Sequence, residues 1–209
     1  MRIKRLVNEL GMMLAFPLLF IVVIFPALMI TVSYAYEDIQ TCREIIVKIS
    51  QIIIPLVSLM WPMALAQEYL SGQGNELLYI NNRMKISRYI IPVIIYLVLT
   101  YVDFYIMKIL FDFSSIILEY IRIAVICFFL SGLYYLASYV SVNFMIANII
   151  TITFVFLCIF SSSNGMWNYY VTDIATKSML KNRYSIHFIA GIVMYIVGAI
   201  NNKFMTRFN

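Results

Sequence analysis

The stretch IAVICFFLSGLYYLASYVSVNFMIANIITITFVFLCIFSSSNGMWNYYVT, Ile123 to Thr172, holds no Asp, Glu, Lys or Arg across about fifty residues. A helix rises about 1.5 Å per residue and the hydrocarbon core of a bilayer is about 30 Å thick, so one crossing takes about 20 residues. The run is too long for one span and fits two. Charge-free runs also cover Leu10 to Tyr36, Ile49 to Gln67, Tyr89 to Val102 and Tyr184 to Asn202. All but the third are long enough to cross unaided, and the third reaches full length only by extending past Asp103.

The expected fold class is therefore an all-α membrane protein with six transmembrane helices. The spans fall near Met12–Val32, Ile49–Gln67, Tyr89–Met107, Ile117–Ser138, Asn143–Phe160 and Ile186–Asn202. Hydrophobic residues make up 63% of the chain and charged residues 12%, too little polar surface to cover a soluble globule. The loops are too short for a second folded unit, so residues 1–209 read as a single transmembrane domain. Cys127 and Cys158 lie inside spans and Cys42 stands alone in a loop, so nothing points to a disulfide framework or metal cluster. The first apolar run exceeds a signal-peptide core and no clear small-residue cleavage site follows it.

Orientation follows the basic residues. If six spans leave both ends on one side, that side carries Arg2, Lys4, Arg5, Arg83, Lys85, Arg88, Lys203 and Arg207 against Glu9, Glu68 and Glu76, a net +5. The other basic and acidic residues cancel. Lys- and Arg-rich short loops stay in the cytoplasm, so both termini and the loop after the second span are expected inside, in the plasma (inner, cytoplasmic) membrane. Lys177, Lys181 and Arg183 oppose this placement and are outnumbered. The basic residues are spread over several flanks rather than gathered in one patch, which argues for a topology signal and against nucleic-acid binding.

Ile3, Leu6, Val7 and Leu10 recur at helical spacing opposite Arg2, Lys4, Arg5 and Glu9. Residues 1–11 read either as a helix lying on the membrane surface, its basic side chains against lipid headgroups, or as a plain positive flank. All five prolines, Pro17, Pro26, Pro55, Pro62 and Pro92, fall in the first three spans, which are expected to bend.

The loop at residues 68–88 begins Glu68-Tyr69-Leu70-Ser71-Gly72-Gln73-Gly74-Asn75-Glu76-Leu77-Leu78-Tyr79-Ile80. Gly72 and Gly74 permit a break, and Ser71 or Asn75 can cap a short amphipathic helix carrying Leu77, Leu78 and Ile80. The plainer alternative is an ordinary polar loop. Here the chain resembles the permease subunits of the ABC-2 type family of ATP-binding-cassette transporters. In those, a Glu, a Gly, often a second Glu and paired leucines occupy the loop between spans two and three. At residue level the resemblance is confined to Glu68, Gly72, Glu76, Leu77 and Leu78. Gln73 and Asn81 depart from it where the family often has Thr and Pro.

The resemblance implies a membrane-spanning permease subunit of an ATP-driven exporter of peptides, drugs or lipid-linked molecules. It implies that the short helix docks on a separate ATP-binding-cassette ATPase subunit, and that a second permease subunit, identical or related, completes the path. It further implies short re-entrant helices in the external segment, residues 161–185, whose Ser, Asn and aromatic residues also suit an interfacial loop. No Gly-x-x-x-x-Gly-Lys-Ser/Thr phosphate loop occurs, so ATP hydrolysis is expected in the partner. Neither a metal nor a cofactor is expected here.

Asp103 and Arg122 fall at similar depth near the outer ends of their spans and are expected to form an intramembrane ion pair, with substrate contact as the alternative. Asn143, Asn148, Thr151 and Thr153 make the fifth span polar, through interhelical hydrogen bonds or a water-lined path. His187, the chain's one histidine, is expected at the interface, without the partners of a metal or catalytic site. The rival readings are an accessory or immunity membrane protein without transport and, less favoured, an intramembrane hydrolase or transferase.

Overall fold

The computed structural model describes the backbone of residues 15–71, 85–161, 165 and 167–208. Every regular element among them is a helix: α1 (Ala15–Ala35), α2 (Ile39–Ser58), α3 (Met60–Ser71), α4 (Lys85–Phe111), α5 (Ile116–Ser141) and α6 (Phe144–Phe160). The last, α7, covers residues 177–208 and joins Lys177–Met179, a wide π-helical turn at Leu180–Tyr184 and Ser185–Phe208. Five stretches are long and apolar enough to cross a bilayer: Ala15–Ala35, Ile39–Gln67, Tyr89–Phe111, Ile116–Ser141 and Lys177–Asn202. The chain is an all-helical, multi-pass membrane protein. Helix α6 is equally apolar but has 17 residues, about 25 Å of rise, less than the hydrocarbon core. The surface helix expected over residues 1–11 lies outside the described residues.

Two helices begin well before their expected spans. Helix α2 starts at Ile39 because Asp38 caps it, its carboxylate accepting from the backbone N–H groups of Gln40 and Thr41. Hydrogen bonds from Thr41, side chain first and backbone second, and from the Gln40 amide hold the Asp38 carboxyl below its ordinary range. The charges that made this turn read as a loop have structural work. Arg43 donates to the carbonyls of Phe111 (2.7 Å) and Asp112 (2.7 Å) at the end of α4, and its guanidinium lies over the Phe113 ring. Cys42 is correspondingly not in a loop; it is buried in α2 with its thiol towards the Val32 and Tyr36 carbonyls.

The prolines act on the helix ladders as their missing N–H groups require. In α1 the wide turn Phe20–Ile24, closed by the Phe25 N–H donating to Phe20 O, leads directly into Pro26. Between α2 and α3 the ladder breaks at Leu59, four residues after Pro55 and three before Pro62. Helix α4, by contrast, runs unbroken through Pro92.

Helix α5 is the central post. It packs against α2, α4, α6 and, most extensively, α7. The α5–α7 seam is close because three glycines sit on it. A Cβ at Gly132 would stand 2.9 Å from the Gly191 carbonyl oxygen, and one at Gly198 would stand 2.7 Å from the Tyr135 ring. In lipid, where apolar side chains gain little by leaving the solvent, such backbone approach is a main source of helix association. The Tyr195 hydroxyl donates across the same seam to Ser131 Oγ at 2.6 Å.

Replacing Gly132 by Ala tests the seam. Alanine improves helix propensity by about 0.5–1 kcal/mol, whereas overpacking costs about 1–3 kcal/mol. Backbone cannot turn aside as a side chain can, so the net expectation is a loss of about 1–2 kcal/mol, read as a lower unfolding temperature in detergent. An unchanged midpoint would contradict the close seam.

Candidate functional site

The chain between α6 and α7 is the one long irregular segment among the described residues, and it enters the bundle. Residues 165 and 167–176 form an irregular strap; the short helices that the family resemblance implies fall partly outside the described residues. Asn168, Tyr169, Val171 and Ala175 are buried. Irregular backbone that is buried needs partners for its polar groups within the protein, so the buried peptides of this strap must find them. Side chains from four helices provide several of them.

Gln51 of α2, fully buried, pairs with Val171 in both directions: its Nε2 donates to Val171 O (2.8 Å) and its Oε1 accepts from Val171 N–H (3.1 Å). The amide side chain thereby imitates one rung of a β-ladder. On α5, Glu119 Oε1 accepts from Ala175 N–H at 2.6 Å, while Oε2 accepts from Arg122 Nη2. Arg122 Nη1 donates to Asp173 O at 2.8 Å. Three residues apart on one helix, Glu119 and Arg122 face the strap together, and both are fully buried.

Helix α7 supplies the remainder. Arg183 donates from Nε to Asn168 O and from Nη2 to Gly165 O, each at 2.9 Å. The Tyr184 hydroxyl donates to Tyr169 O at 2.7 Å. His187, expected at the interface, is instead wholly buried. Its Nδ1 lies 3.0 Å from Arg183 O and its Nε2 3.2 Å from Trp167 O, with the Phe129, Tyr184 and Trp167 rings around it. Cys158 of α6 points its thiol at the same Trp167 carbonyl.

The expected pairing of Asp103 with Arg122 is corrected here. Arg122 is paired with Glu119 on its own helix, while Asp103, buried on α4, has one carboxylate oxygen without a hydrogen-bond partner among the described residues. The reason is local: a carboxylate one turn away on α5 faces the same strap peptides and accepts from Arg122 Nη2, while Arg122 Nε has no hydrogen-bond partner among the described residues. Sequence reasoning placed Arg122 in the membrane and missed Glu119, although the spacing of three on a helix was available as a signal. The polar residues of α6 are mostly used locally, Asn143 as its cap and Thr151 donating to Ala147 O, and Thr153 is exposed.

Glu68 lies in the last turn of α3, and its side chain, with Gly72, Glu76, Leu77 and Leu78, falls outside the described residues. Among the described residues no three His, Cys, Asp or Glu side chains stand together as metal ligands. Comparison of this chain with family models, curated proteins and solved structures returns no match.

Breaking the clamp is expected to be costly. Glu119→Gln sets an amide N–H₂ or its oxygen against a buried guanidinium that has lost its counter-charge, and removal of one partner of a buried pair costs about 3–5 kcal/mol. Adding Arg122→Met should recover part of that loss, leaving about 1–3 kcal/mol for the orphaned strap carbonyl. Thermal unfolding of the two single variants and the double variant reads this coupling; additive losses would contradict a clamp acting as one unit.

Proposed function

We propose that this chain is the membrane-spanning permease subunit of an ATP-driven exporter, working with separate ATP-binding-cassette ATPase subunits and a second permease subunit. The observation that carries the reading is the Glu68 to Leu78 pattern together with its position in the chain. Helix α3 runs into Glu68 and α4 departs from Lys85, so the segment joins the ends of two long apolar helices. A push on such a segment is transmitted along both. Glu68, Gly72, Glu76, Leu77 and Leu78 form the docking element in this reading.

In the proposed arrangement α6 makes the sixth crossing, its short length met by local thinning or by burial of its ends. Both termini and the docking segment face the cytoplasm, which agrees with their net charge of +5. The strap then lies on the outer side. Held by Gln51, Glu119, Arg122, Arg183 and His187, it closes that end of the bundle and joins α2, α5 and α7, so a movement of α2 and α3 reaches the outer closure through Gln51. The cargo class is a peptide, drug or lipid-linked molecule.

Glu76→Ala or Leu77→Ala is expected to lower cargo-stimulated ATP hydrolysis about tenfold, the effect of losing about 1.4 kcal/mol of docking energy, while insertion and unfolding temperature stay unchanged. The readout is ATPase activity and vesicle transport by the complex isolated with its ATPase. Unaltered coupling in both variants overturns the docking role, and protection of cells by the chain without any ATPase supports the accessory or immunity reading instead.

A further inference from the structure

A groove of about 300 Å³ runs between α5 and the start of α7, walled by Ile121 and Val125 on one side and by Leu180, Tyr184, Ser185 and Phe188 on the other. Its surface is carbon. The two hydroxyls on its wall are turned away, Tyr184 to Tyr169 O and Ser185 to Lys181 O. Ile121 and Phe188 are 41% and 45% exposed, so the groove opens on the outside of the bundle, where the bilayer lies. The wide turn at Leu180–Tyr184 makes one wall: its i to i+5 bonding turns Tyr184 inward to the strap and leaves Leu180 and Phe188 on either side.

Lys177 and Lys181 lie in the first turns of α7, three residues before Leu180 and Tyr184 of the groove wall. They precede Ser185 at intervals of four along one helical stripe, both are exposed, and neither takes part in an ion pair among the described residues. Cations in the first turns of a helix oppose its dipole, so they do not serve the helix itself. They also lie on the side where the distribution of basic residues leads one to expect few. Arg183, the third cation of the group, is by contrast committed to strap carbonyls.

We infer that this groove holds one acyl chain of an anionic phospholipid whose headgroup phosphate is met by Lys177 and Lys181. A concavity of this kind facing hydrocarbon is filled by a lipid tail, because neither water nor vacuum is favourable against carbon walls. Long apolar chain below and two unpaired ammonium groups above match such a lipid in both parts, and a zwitterionic headgroup only in one. The inference requires only that the chain crosses a bilayer and is independent of the exporter reading.

The test uses the full-length protein in vesicles of phosphatidylglycerol and phosphatidylcholine with matched chains, followed by native mass spectrometry of the released protein. The expected result is one retained lipid, phosphatidylglycerol enriched about tenfold over phosphatidylcholine. Lys177→Gln with Lys181→Gln should abolish the enrichment without lowering the unfolding temperature, since both side chains are exposed. Ile121→Trp, which fills the groove from its lipid-facing wall, should reduce retention of both lipids. Equal retention of the two lipids by the unaltered protein, or enrichment that survives the double lysine variant, overturns the assignment. Displacement of the lipid by free glycerol phosphate also overturns it, because it would place recognition in the phosphate alone.

Discussion

Peptide groups of an irregular strap have been taken out of water, and each must find a partner inside a bundle made of helices. Helices keep their own backbone bonds to themselves, so partners for the strap come from side chains and from its own turn, where the Asn168 N–H donates to Gly165 O. That constraint accounts for the buried Gln51, Glu119 and Arg122, whereas the buried Ser50, Ser58, Thr100, Ser138 and Thr151 donate to carbonyls of their own helices. Gln51 serves Val171, Glu119 serves Ala175, Arg122 serves Asp173, and Arg183 and Tyr184 serve the turn before them. The charges within the pair neutralise each other while Glu119 Oε1 and Arg122 Nη1 address the strap, and Arg122 Nε is left without a hydrogen-bond partner among the described residues.

Much of the remaining architecture follows from holding α5 where it can do this. Its glycine seam with α7 brings the Arg183 to His187 turn beside the Glu119 to Arg122 turn, so the two groups of donors reach one strap from two helices. Helix α2, broken from α3 at Leu59, brings Gln51 to the third side. An early start at Ile39 ties the same helix to the end of α4 through Arg43. The wide turn in α7 both directs Tyr184 inward and shapes the lateral groove that Lys177 and Lys181 overlook.

Five long apolar helices were legible in the sequence because absence of charge over a fixed length is a one-dimensional signal, and the bilayer sets that length. Where charges are present the signal misleads. Arg43, Glu44 and Lys48 made the start of α2 read as loop, although Cys42, Ile46 and Val47 on the opposite face are buried. Lys177, Lys181 and Arg183 hid the start of α7 in the same way. The strap was legible only as polar and aromatic; its depth depends on contacts with residues 51, 119 and 122, far away in the chain. Arg122 could be paired by depth with Asp103 or by helical spacing with Glu119, and depth was the weaker guide because it leaves rotation about the helix axis undetermined.

In this arrangement a multi-pass helical bundle carries a clamped strap at one end and, at the other, a segment joining two long helices that the exporter reading makes a docking site. The clamp is the element on which that connection rests. Amide hydrogen exchange on the full-length protein in nanodiscs tests it most directly. Val171 and Ala175 N–H groups should exchange as slowly as the amides of α5, since their acceptors are the buried side chains of Gln51 and Glu119. Exchange of both at the rate of an open loop would contradict the clamp.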